Sequence, residues 1–118
     1  MLELVVVVED DESVRESLPD LLAEFGYTAR TFASAEEFLA SDAIGDADCL
    51  ILDIGLPGLS GLDLQRELIH RGFSIPAIFI TARADYSIPP GLPHIACLLK
   101  PLSEQELQAA LHIALPGN

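Results

Sequence analysis

Five polar residues stand where strongly apolar runs break off. Glu9 and Asp10 follow Leu4–Val8, Asp53 follows residues 49–52, Thr81 closes residues 77–80, and Lys100 follows residues 95–99. Three carboxylates sharing a site repel one another, and one of them would be driven to hold a proton. A divalent cation removes that conflict. Mg²⁺ takes oxygen ligands, keeps several waters, and binds through one or two carboxylates together with a phosphate. The ammonium of Lys100 is of the kind that contacts phosphoryl oxygens as a point charge, and Thr81 offers a hydroxyl donor. Aspartate is an accepted nucleophile for phosphoryl transfer, giving an acyl phosphate. Such transfer needs positioning and charge neutralisation more than covalent chemistry, and this set supplies both. Any one of these residues alone reads as a turn former or a surface charge. The weight lies in compatible groups ending several apolar runs at once.

The elements that would position them alternate strand and helix. Leu4–Val8 is β-branched and nearly continuous, as in a strand covered on both faces. A helical stripe of Val14, Leu18, Leu21, Leu22 and Phe25 follows, and Gly26 stops it. Thr28–Phe32 reads as a second strand. Ser34 with Glu37 forms a capping box for a helix holding Phe38 and Leu39. Residues 45–48 read as a polar turn and 49–52 as a third strand ending at Asp53. A loop with Gly55, Pro57, Gly58 and Gly61 leads into a helix over about 62–71, with Leu64, Leu68 and Ile69 inward and Gly72 at its end. Residues 77–81 and 95–99 read as the fourth and fifth strands. Ser103 and Glu106 cap the last helix, with Leu102 and Leu107 as a hydrophobic staple; that helix buries Leu107, Ala110, Leu111 and Ala114. Continuous apolar strands alternating with helices predict an α/β fold, a parallel sheet with helices on both faces. In such sheets the site lies beyond the carboxyl ends of the strands, at a switch in strand order. Asp11, Glu12 and Asp63 read as caps and solvated surface.

The chain has 118 residues and a formal net charge of -13. That length suits one domain over residues 1–118. Half the residues are apolar, so a packed core is expected. Charge this negative excludes nucleic-acid binding through the general field. No apolar run reaches the ~18 residues of a membrane span, and no signal peptide is present, so a cytoplasmic location with no membrane partner is expected. Cys49 and Cys97 both lie in strand-like runs and read as reduced, buried, small hydrophobes. With His70, His94 and His112 scattered, they give no metal-ligand spacing.

The chain resembles the receiver domains of two-component response regulators over nearly all its length. The resemblance rests on Glu9-Asp10-Asp11, on Leu52-Asp53 followed by Leu56-Pro57-Gly58-Leu59-Ser60-Gly61, on Ile80-Thr81-Ala82, and on Lys100-Pro101-Leu102. Its local flavour is similar to receivers of the nitrogen-fixation and LuxR-type regulators. The resemblance implies a flavodoxin-like, doubly wound five-stranded parallel sheet of order 2-1-3-4-5. It implies that Asp53 accepts a phosphoryl group from a phosphohistidine on a histidine kinase or histidine phosphotransfer protein. It implies Mg²⁺ held by Asp10, Asp53 and the Gly55 carbonyl, with Glu9 acting through water. Thr81 and Lys100 would bind phosphoryl oxygens, and the Lys100-Pro101 bond would be cis. The domain would switch conformation as a signalling module and not as an enzyme.

Three features depart from the family pattern. Cys97 occupies the place of the usual aromatic switch residue, which puts the threonine–aromatic coupling in doubt. The stretch from Thr81 to Lys100 is short and contains Pro89, Pro90, Gly91 and Pro93, so the fourth helix is expected to be shortened or lost. The usual output and dimer surface should then differ, and a homodimer would use a non-standard face. Pro19 falls inside the first helix, where a kink or a late start is expected. The alternative reading is an atypical receiver acting as a phosphorylation-independent interaction module. A haloacid-dehalogenase-like phosphatase would want a second Asp where Gly55 stands. A flavodoxin-like FMN carrier would find its phosphate repelled by residues 9–12.

Overall fold

The computed structural model describes residues 2–116; Met1, Gly117 and Asn118, the ends of the expected 1–118 span, lie outside the described residues. The elements run β1 (Leu4–Val8), α1 (Glu12–Glu24), β2 (Thr28–Phe32), α2 (Ala35–Leu39), a 3₁₀ turn (Asp42–Gly45), β3 (Cys49–Asp53), α3 (Gly61–His70), β4 (Ala77–Thr81), β5 (Ala96–Leu99) and α4 (Glu104–Ala114). The strands form one parallel sheet in the order β2-β1-β3-β4-β5. From β1 the chain turns to one side to make β2, then crosses back to lay β3 on the other side. The strand order therefore switches between β1 and β3, where a doubly wound sheet opens its crevice.

Side chains alternate across each strand, and two apolar clusters result. Val6, Val8, Leu50, Leu52 and Phe79 face α2 and α3. Val5, Val7, Cys49, Ile51, Ile78, Ile80 and Leu98 face α1 and α4. The three inner strands β1, β3 and β4 are apolar almost throughout because both their faces are covered, whereas the edge strands β2 and β5 are partly exposed. Each fully buried Val, Leu or Ile contributes roughly 1.5–3 kcal/mol relative to exposure.

The helix α1 begins at Glu12, capped by the Asp11 side chain, which accepts from Ser13 N–H. Pro19 lies inside it, so of the expected kink or late start, the late start does not occur. An interior proline costs about 3 kcal/mol. Leu18 and Leu22, both buried in this helix, together offset that at roughly 1.5–3 kcal/mol each. Gly26, at φ 96°, ends the element. Two further expectations need correction. Ile69 is 42 % exposed and not inward, and Ala114 is only half-buried. Asp63, read as a cap or surface residue, forms a capping box with Ser60 at the start of α3, a partner the sequence reading did not name.

No helix forms between β4 and β5. Residues 82–95 run as turns, with Gly91 at φ 84°. The segment is tied down by buried Leu92 and by the buried Gln65 side-chain amide, which donates to Pro93 O at 2.9 Å. This loss of the fourth helix is as expected. Its consequence for β5 was not foreseen. Leu98 packs into the cluster under α4, while Cys97 and Leu99 point the other way and are exposed, Leu99 by 46 %. The expectation of buried cysteines therefore holds for Cys49 and fails for Cys97: the element that would cover that edge strand is absent. His70, His94 and His112 are all exposed.

Candidate functional site

The carboxyl ends of β1, β3, β4 and β5 converge. Asp53 is the last residue of β3 and is 5 % exposed; Thr81, the last of β4, is 7 % exposed; Glu9, just beyond β1, is fully buried. Asp10 stands exposed beside it. Oxygens of Glu9, Asp10 and Asp53 lie within 4.8 Å of one another. Lys100 reaches in from the end of β5, its Nζ 3.1 Å from Asp53 Oδ2 and 2.8 Å from Glu9 Oε2. The first contact is an aligned hydrogen bond. The second is an ion pair by distance without hydrogen-bond alignment, and Glu9 Oε2 has no other partner among the described residues. Asp53, Gly55, Thr81, Arg83, Tyr86 and Lys100 border a common cavity of about 320 Å³. The Lys100-Pro101 bond is cis.

Local backbone fixes these side chains. Gly55 N–H donates to Asp53 Oδ1 at 3.0 Å, Asp11 N–H donates to Glu9 Oε1 at 3.0 Å, and Arg83 N–H donates to Thr81 Oγ1 at 3.1 Å. The Arg15 guanidinium donates to the carbonyls of both Glu9 and Asp10, at 2.9 and 2.8 Å. It thereby pins the acidic turn to α1. The β3–α3 loop is clasped by Glu36 of α2, whose carboxylate accepts from Leu59 N–H at 3.2 Å. The loop returns so tightly that a Cβ on Gly61 would lie 2.5 Å from the Asp53 carbonyl oxygen. Arg15, Glu36, Arg83 and Tyr86 were not singled out from the sequence for the site, and Gly61 was read only as part of the loop and of the family motif. Only Arg83, two residues after Thr81, had a positional signal.

The charges are arranged unevenly. Burial pushes the Glu9 carboxyl up to about 7; Lys100 pulls it down, and the neighbouring Asp53 pushes it further up. Burial also opposes charge on Asp53, but hydrogen bonds from Glu9, the Gly55 N–H and Lys100 outweigh it and hold that carboxyl below its usual range. Burial disfavours the Lys100 ammonium, yet its contacts with Glu9 and Asp53 raise its pKa above the ordinary lysine value. Near neutrality the pocket thus presents an ionised Asp53 against a charged lysine, with Glu9 ready to share a proton. An ionised carboxylate held against a cation is the state in which an aspartate acts as a nucleophile.

A doubly wound sheet of order 2-1-3-4-5 with acids, a hydroxyl and a lysine on one crevice defines the class of CheY-like signalling modules. The profile of the response regulator receiver domain matches residues 5–112, and the chain belongs to that family. It is 42 % identical over 111 residues to nodulation protein W of Bradyrhizobium diazoefficiens, covering 92 % of this chain and 49 % of that protein. It is 38 % identical over 117 residues to the transcriptional regulatory protein TdiR of Thauera aromatica, covering 97 % and 52 %. The solved response regulator StyR superposes with a TM-score of 0.91 at 38 % identity, over all of this chain and 61 % of that one. The chain thus spans about half the length of the relatives it matches. Among the described residues no helix is long and apolar enough to cross a membrane.

Proposed function

We propose that this chain is a phosphoacceptor receiver, in which Asp53 takes a phosphoryl group from a phosphohistidine on a histidine kinase or histidine phosphotransfer protein. The observation that carries the proposal is the buried, ionised Asp53 held 3.1 Å from Lys100 in a cavity shared with Thr81. The carboxylate attacks phosphorus, the P–N bond breaks, and the imidazole leaves. Lys100 and the Thr81 hydroxyl meet the charge that develops on the phosphoryl oxygens, in a site closed on the sheet side by buried apolar residues. Donors held in place before the reaction stabilise such charge without reorganising.

The acidic set fits Mg²⁺. Its donors are hard oxygens within 4.8 Å of one another, and buried Glu9 Oε2 lacks an aligned partner. Asp10, Asp53 and the Gly55 carbonyl would hold the ion, with Glu9 acting through water. When bound, the ion would neutralise the carboxylates and the incoming phosphoryl oxygens. The donor protein would dock over the groove beside Lys100 formed by Val14, Leu18 and Leu21 of α1 with Pro101 and Leu102. The chain as a whole, residues 1–118, would act as one cytoplasmic signalling unit that does not itself bind nucleic acid or membrane. Any homodimer would form on a face other than the usual one.

The test is labelling by a small phosphodonor with Mg²⁺. Wild type should gain a hydroxylamine-labile phosphoryl group. Asp53→Asn, or removal of Mg²⁺ by chelation, should abolish it. Labelling that survives in Asp53→Asn would move the acceptor elsewhere. The exposed Cys97 in place of an aromatic switch favours a second reading, an interaction module indifferent to phosphorylation. That reading predicts label that is weak or without structural consequence beyond the pocket, and it leaves the complete pocket without a role.

A further inference from the structure

A receiver without an aromatic residue before its lysine needs another way to carry the state of Asp53 outwards. Cys97 is exposed on the edge strand, does not border the Asp53 cavity, and carries no ring. Of the chain's five phenylalanines and two tyrosines, Tyr86 alone borders that cavity. It is half-buried, and it also packs against the apolar cluster beneath α2 and α3. One ring therefore touches both the pocket and the core.

A continuous path joins Thr81 to this ring. Thr81 Oγ1 accepts from Arg83 N–H at 3.1 Å, and Arg83 O accepts from Tyr86 N–H at 3.3 Å. Residues 82–85 are exposed and lie in no helix or strand, while the far end is fixed by buried Leu92 and by the Gln65–Pro93 hydrogen bond. A hydroxyl that turns to donate to a phosphoryl oxygen moves the same oxygen that now receives the Arg83 N–H. That turn would release the start of the segment, and Tyr86 is the first residue along it with a foothold in the core. Few contacts and an exposed backbone make such a segment the easiest part of a fold to rearrange.

We infer that Tyr86 replaces the missing aromatic switch: Thr81 signals along residues 82–86 to the Tyr86 ring, and not across the sheet to Cys97. This rests on Asp53 as the phosphoryl acceptor. The movement ends on the surface where residues 89–93 meet Arg66 and Ile69, around a cavity of about 370 Å³. A change there would alter the surface that residues 82–95 form in place of a fourth helix.

The test is NMR of the full chain with Mg²⁺, then with beryllofluoride, a phosphoryl mimic. In the unmutated protein the mimic should shift the Gly55 and Thr81 amides, the Tyr86 ring signals and the amides of Ile88, Gly91 and Leu92, and leave the Cys97 amide in place. Tyr86→Phe should keep these responses. Tyr86→Leu should keep the Gly55 and Thr81 shifts and lose those at Ile88, Gly91 and Leu92, and Cys97→Ala should change nothing. If Gly55 and Thr81 respond while the wild-type Tyr86 ring stays still, the relay is wrong and the acceptor stands. If Gly55 does not respond, the acceptor reading falls and takes the relay with it.

Discussion

At the scale of single residues the site is a problem in charge. Glu9 and Asp53 share one ammonium, and the structure resolves the conflict by giving the two acids opposite fates. Glu9, raised from 4.5 to about 7, binds its proton more tightly folded than unfolded. Its contribution to stability is therefore full below pH 4.5 and is lost as pH rises through about 7. Asp53 has the opposite sign, since its depressed value adds stability above its unfolded pKa, lost only as pH falls into the acid range. Metal-free protein should thus lose melting temperature between pH 4.5 and 7, and Glu9→Gln should flatten that slope. A slope unchanged in Glu9→Gln would assign the titration to another group. The identity of these residues was legible because each ended an apolar run. Their support was not: Arg15 and Glu36 act on backbone atoms through long side chains, and no local pattern marks them.

At the scale of elements, the inner strands were readable because double coverage writes continuous apolar runs, and β1, β3 and β4 fall where those runs lie. Helix ends were less readable. Ser60–Asp63 is a capping box with Asp in place of the usual Glu or Gln, and Ile69 fits the inward stripe of α3 yet faces solvent beside residues 89–93. Pro19 was read as giving a kink or a late start; the late start does not occur, because tertiary burial of its neighbours overrode local propensity. Pro19→Ala should restore the missing hydrogen bond. The gain would be about 3 kcal/mol, less up to about 1 kcal/mol for the freer unfolded chain; roughly 2 kcal/mol should appear in denaturant unfolding. No gain would mean that the helix is already relaxed around the proline. In the segment 82–95, Gln65→Ala removes the tie to Pro93 O, worth about 1 kcal/mol. Amide exchange at Ile95 and its neighbours should accelerate while β1 and β3 stay protected; uniform loss of protection would show that the tie serves the whole fold.

At the scale of the whole molecule, the proline-rich connection decides which surfaces are available. Sequence showed that a helix could not form there. It did not show that β5 would therefore present Cys97 and Leu99 to solvent, because that depends on which face of an edge strand the lost helix would cover. The net charge of -13 adds a general self-repulsion that salt screens. Both NaCl and MgCl₂ should raise the melting temperature. At matched ionic strength MgCl₂ should raise it further, by binding the native pocket. This excess should vanish in Asp10→Asn; its persistence there would make the effect diffuse.

The central claim is that Asp53 itself carries the phosphoryl group. An acyl phosphate is reduced by borohydride to an alcohol, so a phosphorylated aspartate becomes homoserine at a position that peptide mass spectrometry reads. After incubation with a phosphodonor and Mg²⁺, homoserine should appear at residue 53 and nowhere else, and should be absent without Mg²⁺. Homoserine at residue 10, or none under any condition, would contradict the account.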